Sequence, residues 1–273
     1  MNSLEVSGEL TADLLVRFLQ AEAGKFGFKR ALLGLSGGVD SAVSASLASR
    51  AYGAENVLGV MMPYKTSNPS SEADARVVAD SLGIPTRKID ISEMADGYLA
   101  ALEVKDRMRR GNVMARCRMI ALYDQSVEWN GLVLGTSNKT EILLGYSTQW
   151  GDSASALNPL GDLYKHQVFQ LARHLALPDV VIDKAPSADL FEGQTDEDEL
   201  GFTYDEVDRL LIRMIDERWS ERELIAEGFS PSFVKLVAER IAANQYKRLP
   251  PIVAKLGPRS VTHDFRYLRS WGR

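Results

Sequence analysis

Four short runs read as strands, at residues 30–35, 57–62, 86–91 and 132–135, and longer stretches between them repeat their apolar residues at helical spacing. That alternation constrains the fold more than any other feature. The intervening segments 41–50 and 70–82 read as helices, and a helical pattern continues from after residue 91 to Trp129. Strands joined through helices of this length pair through crossovers rather than hairpins, which makes the sheet parallel and covers it on both faces. The expectation is an α/β chain with an open parallel sheet and helices on both faces. Leu10, Leu14, Leu15, Phe18 and Leu19 place an amphipathic helix ahead of the first strand. After about Tyr164 the pattern is almost wholly helical, at 165–176, 204–217 and 231–246, giving a helical C-terminal part. No internal repeat or low-complexity linker divides the chain, so residues 1–273 read as a single domain.

Composition narrows the classes of partner. With 45% hydrophobic and 25% charged residues the chain buries a substantial core, and its net charge of −5 comes without a basic block. Nothing therefore favours a nucleic-acid backbone as partner, although a loop or helix end can still hold a small anion. No apolar stretch reaches the roughly 20 residues that span a bilayer. The first residues are acidic where a targeting segment is basic, and the single cysteine, Cys117, has no internal disulfide partner. A soluble cytoplasmic protein is expected.

The segment Gly34-Leu35-Ser36-Gly37-Gly38-Val39-Asp40-Ser41 lies where the first strand hands over to a helix, the position at which open α/β sheets bind ligands. Adjacent glycines permit positive φ and close approach of backbone N–H groups to an anion, Ser36 and Ser41 add hydroxyls, and the following helix presents its positive end. The loop reads as a phosphate cradle. It has no Walker lysine, and it carries Asp40, whose charge beside polyphosphate calls for an intervening cation such as Mg²⁺. On an exposed loop Asp40 is expected to add little to stability; its bland alternative is a cap on the next helix. Gly34-x-Ser36-x-Gly38 also fits a hydrolase nucleophile elbow, with His166, His174 or His263 as base. Only one strand precedes Ser36, too few for that arrangement.

Ser36-Gly37-Gly38-x-Asp40-Ser41 resembles the signature of the N-type ATP pyrophosphatases. Together with 111–119 (Gly-Asn-Val-Met-Ala-Arg-Cys-Arg-Met), 135–141 (Gly-Thr-Ser-Asn-Lys-Thr-Glu), 186–190 (Pro-Ser-Ala-Asp-Leu) and 247–251 (Lys-Arg-Leu-Pro-Pro), it resembles the ammonia-dependent NAD synthetase family over nearly the whole chain. The resemblance implies an adenine nucleotide α-hydrolase-like, Rossmann-type fold and a homodimer whose helices near Arg116 build the dinucleotide site. It implies an ATP- and Mg²⁺-dependent ligase that adenylates deamido-NAD and amidates it with ammonia. By similarity the Gly34 to Ser41 loop, Thr136, Lys165 and Ser187 hold ATP, Asp40 and Glu141 hold the metal, Asp40 and Lys165 are catalytic, and Arg116 and Lys247 contact deamido-NAD.

Each of these residues has a plainer reading. Asn138-x-x-Glu141 fits a capping box, Lys165 a solvated helix lysine, Arg116 a helix surface, Lys247 a basic helix C-terminus, and Cys117 a small buried residue. The acidic run 192–199 is ordinarily a solvated loop; in the family a similar segment lies near ATP. The chain departs from the family where Gln149 replaces a lysine and Ala156 an aspartate, both on the dinucleotide side. Another amidating ATP pyrophosphatase, a subunit fed ammonia by a separate glutaminase, and a non-catalytic nucleotide-binding module are the competing readings.

Overall fold

The computed structural model describes residues 4–187 and 196–259. Helix α1 (Gly8–Gly24) leads into β1 (Ala31–Gly34), followed by α2 (Val39–Tyr52), β2 (Val57–Met61), α3 (Pro69–Leu82), β3 (Thr86–Lys88), α4 (Ser92–Ala101), α5 (Arg107–Trp129) and β4 (Leu132–Val133). Then come α6 (Lys139–Leu144), α7 (Lys165–His174), α8 (Asp179–Ile182), α9 (Asp196–Leu200), α10 (Tyr204–Leu211), α11 (Glu221–Glu227) and α12 (Pro231–Ala243). The strands form one parallel sheet in the order β3-β2-β1-β4. From β1 the chain winds outward through β2 and β3, then returns to place β4 on the other side of β1. The crevice beyond the ends of β1 and β4 is therefore the switch point where an open sheet takes its ligand.

Alternate residues of β1 enter different cores. Ala31 and Leu33 pack with Leu19, Val43, Leu47 and Leu171 from α1, α2 and α7, while Leu32 joins Leu58, Val60 and Val133 beneath Leu122 and Trp129 of α5. Both faces of the sheet are thus buried, as its apolar runs demand. A separate cluster, built on Leu144, Tyr164, Val207, Leu210, Leu224 and Val237, holds the C-terminal helices against α6 and α7.

Four local expectations change. The helical pattern before Trp129 is two helices, because α4 ends at Ala101 and Asp106 caps α5 by accepting from Arg109 N–H. The strand expected over 86–91 stops at Lys88, since the Asp90 side chain accepts from Ser92 N–H and turns the chain into α4. On α1, Leu19 is fully buried but Leu10 and Leu14 are 59% and 57% exposed, and Ala12 and Ala23 complete the inner face instead. The helix expected over 204–217 begins as α10 and passes into a π-helical turn at Ile212–Asp216.

Candidate functional site

The glycine loop opens onto a cavity of about 2160 Å³ that runs from β1 to α12. Its conformation depends on Gly37, at φ +77°, where an added Cβ would lie 2.3 Å from the Ser71 carbonyl oxygen and 3.1 Å from Ala75 N. Backbone that close cannot yield, so the turn is pressed onto the start of α3 and only glycine fits. Of residues 34–41, all but Gly37 line the cavity. Leu35 and Val39 are buried in the core and present backbone there, while Ser36 is exposed. The hydroxyls organise the turn: Ser41 Oγ donates to Gly38 O (2.9 Å) and lies 3.2 Å from Ser36 Oγ, which accepts from Gly38 N–H (3.3 Å). No imidazole meets Ser36 among the described residues. His166 gives its backbone N–H to Asp208 and lies 4.0 Å from Asp205, and His263 lies outside the described residues. The nucleophile-elbow alternative therefore lacks its base.

Asp40 does not cap α2; Gly38 stands at the N-cap with no side-chain bond. Asp40 instead meets two residues from distant parts of the chain. Its Oδ1 accepts from Asn138 Nδ2 (2.9 Å) and its Oδ2 from Lys165 Nζ (2.5 Å). Lys165 Nζ also reaches Glu141 Oε1 at 3.4 Å. The lysine side chain is 3% exposed, against 17% for Asp40 and 15% for Glu141, which overturns the solvated-lysine alternative. It also corrects the expectation for Asp40, whose carboxylate is held in a largely buried ion pair rather than on a free loop. Removing one partner of such a pair strands the other charge.

The capping box at Asn138-x-x-Glu141 is present, with Asn138 Oδ1 accepting from Glu141 N–H (3.0 Å) and Glu141 Oε2 from Asn138 N–H (3.3 Å). The cap and the ion-pair arrangement coexist, because each uses a different carboxylate oxygen. Burial, and next the charge of Asp40, push the Glu141 carboxyl above its ordinary range, and Lys165 opposes the rise. Burial alone would lower the Lys165 ammonium; the charges of Asp40 and Glu141 outweigh it and raise it. Two carboxyl groups around one ammonium present hard oxygen donors to the cavity.

Thr136 and Ser187 line the same cavity. The motif around Ser187 continues through Ala188-Asp189-Leu190, which lie outside the described residues, as do 192–195 of the acidic run. The rest of that run is not a solvated loop. Asp196 is 4% exposed and accepts from the hydroxyls of Tyr146 (3.1 Å) and Tyr204 (3.0 Å), while Glu199 accepts from Tyr146 (2.8 Å). Both acids line the cavity, and burial raises the Asp196 carboxyl.

At the other end, Arg116 is exposed on α5 and donates from Nη2 to Gln149 O (3.1 Å). Lys247 lines the cavity while donating to the carbonyls of Gly145 (2.6 Å) and Ser147 (2.8 Å), and Arg248 donates to Ile142 O and Leu143 O. Lys247 therefore closes the C-terminal end of α6, while Arg248 joins the ends of α6 and α12 by donating also to Ile241 O (2.7 Å). Gln149 lines the cavity; Ala156 does not, and its N–H instead bonds Val133 O. Cys117 is buried, which raises its thiol pKa, in keeping with a packing residue.

Sequence reasoning missed Asp208 and the pair Asp74–Lys184, and it gave Asn138 only as a cap and a motif residue and Asp196 only as part of the acidic run. Asp208 carried a signal: it shares the buried face of α10 with Tyr204, Val207 and Leu211, a position where a charge needs partners. It finds them in Thr140 Oγ1 (2.5 Å) and His166 N–H (2.8 Å), and Thr140 Oγ1 accepts in turn from Lys165 N–H (3.0 Å). Helices α6 and α7, which carry Glu141 and Lys165, are thus pinned through one buried carboxylate.

A glycine loop at the switch point of a parallel sheet, followed by a carboxylate that a buried lysine neutralises, defines a nucleotide-binding α/β protein. The NAD synthase family model matches residues 11–251. The NH₃-dependent NAD⁺ synthetase of Trichlorobacter lovleyi is 52% identical over 273 residues, covering all of both chains. Among solved structures, the NH₃-dependent NAD synthetase of Campylobacter jejuni superposes with a TM-score of 0.79 at 32% identity, covering 92% of this chain and 100% of the other. The NMN synthetase of Francisella tularensis gives 0.82 at 31% identity with the same coverage. This chain belongs to the NAD synthase family.

Proposed function

We propose that this chain, as a carbon–nitrogen ligase, makes NAD from deamido-NAD, ATP and ammonia. The observation that carries the chemistry is the cluster of Asp40, Glu141 and buried Lys165 at the mouth of the glycine loop. In the first step the nicotinate carboxylate oxygen forms a bond to the α-phosphorus of ATP, and the bond from that phosphorus to the β-phosphate bridging oxygen breaks, releasing pyrophosphate. In the second, ammonia adds to the activated carbonyl, AMP leaves with the C–O bonding pair, and the excess proton passes to solvent. Neither step needs a protein nucleophile; each needs alignment and neutralised charge.

Lys165 faces the oxygens that gain charge as pyrophosphate departs, while Asn138 and Glu141 hold Asp40 and the lysine in register. Ser36, Ser41 and the backbone of 34–41 hold phosphate, and Thr136 and Ser187 complete the ATP end. The acids Asp40 and Glu141 fit Mg²⁺, since both are hard oxygen donors lining the cavity; when bound, the ion would neutralise polyphosphate charge. Arg116 serves the dinucleotide end, with Lys247 shaping that wall through the α6 carbonyls.

Exposed apolar residues on α4 and α5, Tyr98, Leu102, Ile120, Tyr123 and Val127, support a homodimer built on those helices. No helix among the described residues is long and apolar enough to cross a membrane. The test is incubation with ATP, Mg²⁺, ammonium and deamido-NAD, measuring pyrophosphate and NAD. A parallel arm with nicotinate mononucleotide addresses the likeness to an NMN synthetase, and an arm with glutamine addresses the nitrogen source. Faster turnover of the mononucleotide, or orthophosphate as direct product, would overturn the reading.

A further inference from the structure

The glycine loop has no lysine of its own, and Lys165 is already shared between two carboxylates. A tetra-anionic nucleotide at this loop needs more positive charge than that. Another lysine of the cavity, held against the helix on which the glycine turn rests, comes from far along the chain. Lys184, just after α8 and three residues before Ser187, lines the same cavity as Ser36, Gly38 and Ser71. Its Nζ donates to Ser71 Oγ (3.2 Å) and Asp74 Oδ2 (2.7 Å) on the first turns of α3. Those are the turns on which Gly37 rests: a Cβ at Gly37 would meet the Ser71 carbonyl oxygen at 2.3 Å and Asp74 Cβ at 3.1 Å. One short piece of α3 thus positions both the glycine turn and the Lys184 ammonium.

We propose that Lys184 is a phosphate-binding residue, supplying at the β- and γ-phosphates of ATP the cation that a Walker loop carries within itself. The inference rests on the ATP reading of the cavity. An ammonium has three N–H donors. Two have acceptors among the described residues, which leaves one to donate to an anion from the cavity that the residue lines. The side chain is 25% exposed and Asp74 only 11%, so the lysine is the accessible member of the pair and the aspartate its support. Ser71 and Asp74 orient the ammonium before the ligand arrives and so reduce the ordering cost of the contact. The group recognised is a polyphosphate, so the contact should distinguish ligands that carry β- and γ-phosphates from those that lack them.

The probes are therefore pyrophosphate and AMP, tested by calorimetry with the full chain in Mg²⁺. Lys184→Gln should lower affinity for pyrophosphate and ATP about tenfold to a hundredfold, the loss typical of one charge-assisted contact, and leave AMP binding unchanged. Lys184→Arg should retain most of the affinity. Unchanged pyrophosphate binding, or an equal loss for AMP, would mean that Lys184 is only a strut between α8 and α3, and would overturn the proposal. Should Lys184→Gln fail to fold, acetylation of Lys184 in the unmodified chain, followed by mass spectrometry, decides the matter. Pyrophosphate should protect it and AMP should not; equal labelling in both overturns the assignment. Pyrophosphate binding that depends on Lys184 without any NAD formation would leave this inference standing and refute the substrate reading instead.

Discussion

Replacing Thr140 by valine removes one oxygen from the centre of the site while keeping the side chain's shape. Thr140 is 0% exposed, donates to Asp208 Oδ1 at 2.5 Å and accepts from Lys165 N–H at 3.0 Å. The variant leaves a buried carboxylate oxygen and a buried backbone N–H without partners. Each orphaned group costs about 1–3 kcal/mol, with the charged one at the upper end. Asp208 keeps its bond from His166 N–H, so the expected total is roughly 3–5 kcal/mol. Urea denaturation measures it, as a shift of midpoint at unchanged slope, and a melting temperature lowered by roughly 10 °C accompanies it. Thr140→Ser keeps the hydroxyl and loses one methyl, which costs about 1 kcal/mol. Loss of the Lys165 N–H anchor should also slow adenylation in Thr140→Val, since a misplacement of about 1 Å costs on the order of a hundredfold. A valine variant no less stable than the serine one would refute the network.

The remaining predictions concern single residues. Burial lifts the Asp208 carboxyl from 3.8 to about 6, against the hydrogen bonds from Thr140 and His166. A folded-state pKa above the unfolded one favours folding below pH 3.8, and that contribution is lost as pH rises through 6; at 1.36 kcal/mol per pH unit it amounts to roughly 3 kcal/mol. Stability of the parent chain minus that of Asp208→Asn should fall by this amount between about pH 4 and pH 6, and a flat difference would disprove it. Asp40→Asn should abolish pyrophosphate release and also cost about 3 kcal/mol of stability, because Lys165 stays buried with Glu141 alone. A mutant with parental melting and turnover would sink both roles. Gly37→Ala should destabilise by about 2–5 kcal/mol, from left-handed strain plus the clash with the Ser71 carbonyl. Calorimetric melting within 1 °C of the parent would show that the turn can relax.

Local order and the identity of the site's motifs were legible in the sequence because they are local properties. Hydrophobic period 3.6 marks α3 and α7, apolar runs ending in glycine mark β1 and β4, and the Gly34 to Ser41 loop announces an anion cradle through its glycines and hydroxyls. Even the box at Asn138 and Glu141 could be read three residues apart. What the tertiary structure decided were the encounters between segments. Lys165 lies 125 residues from Asp40 and Asn138 lies 98, and only the return of the chain to β4 beside β1 brings them to one point. Helix periodicity gave Lys165 no sign of burial, since a lysine at the start of an amphipathic helix is ordinarily solvated; its two carboxylate partners make burial tolerable. The same holds for Lys184 on Asp74 and for Asp208 beneath Thr140. Charges of opposite sign are scattered throughout the sequence, and which of them pair depends on the sheet order and helix packing that carry them together.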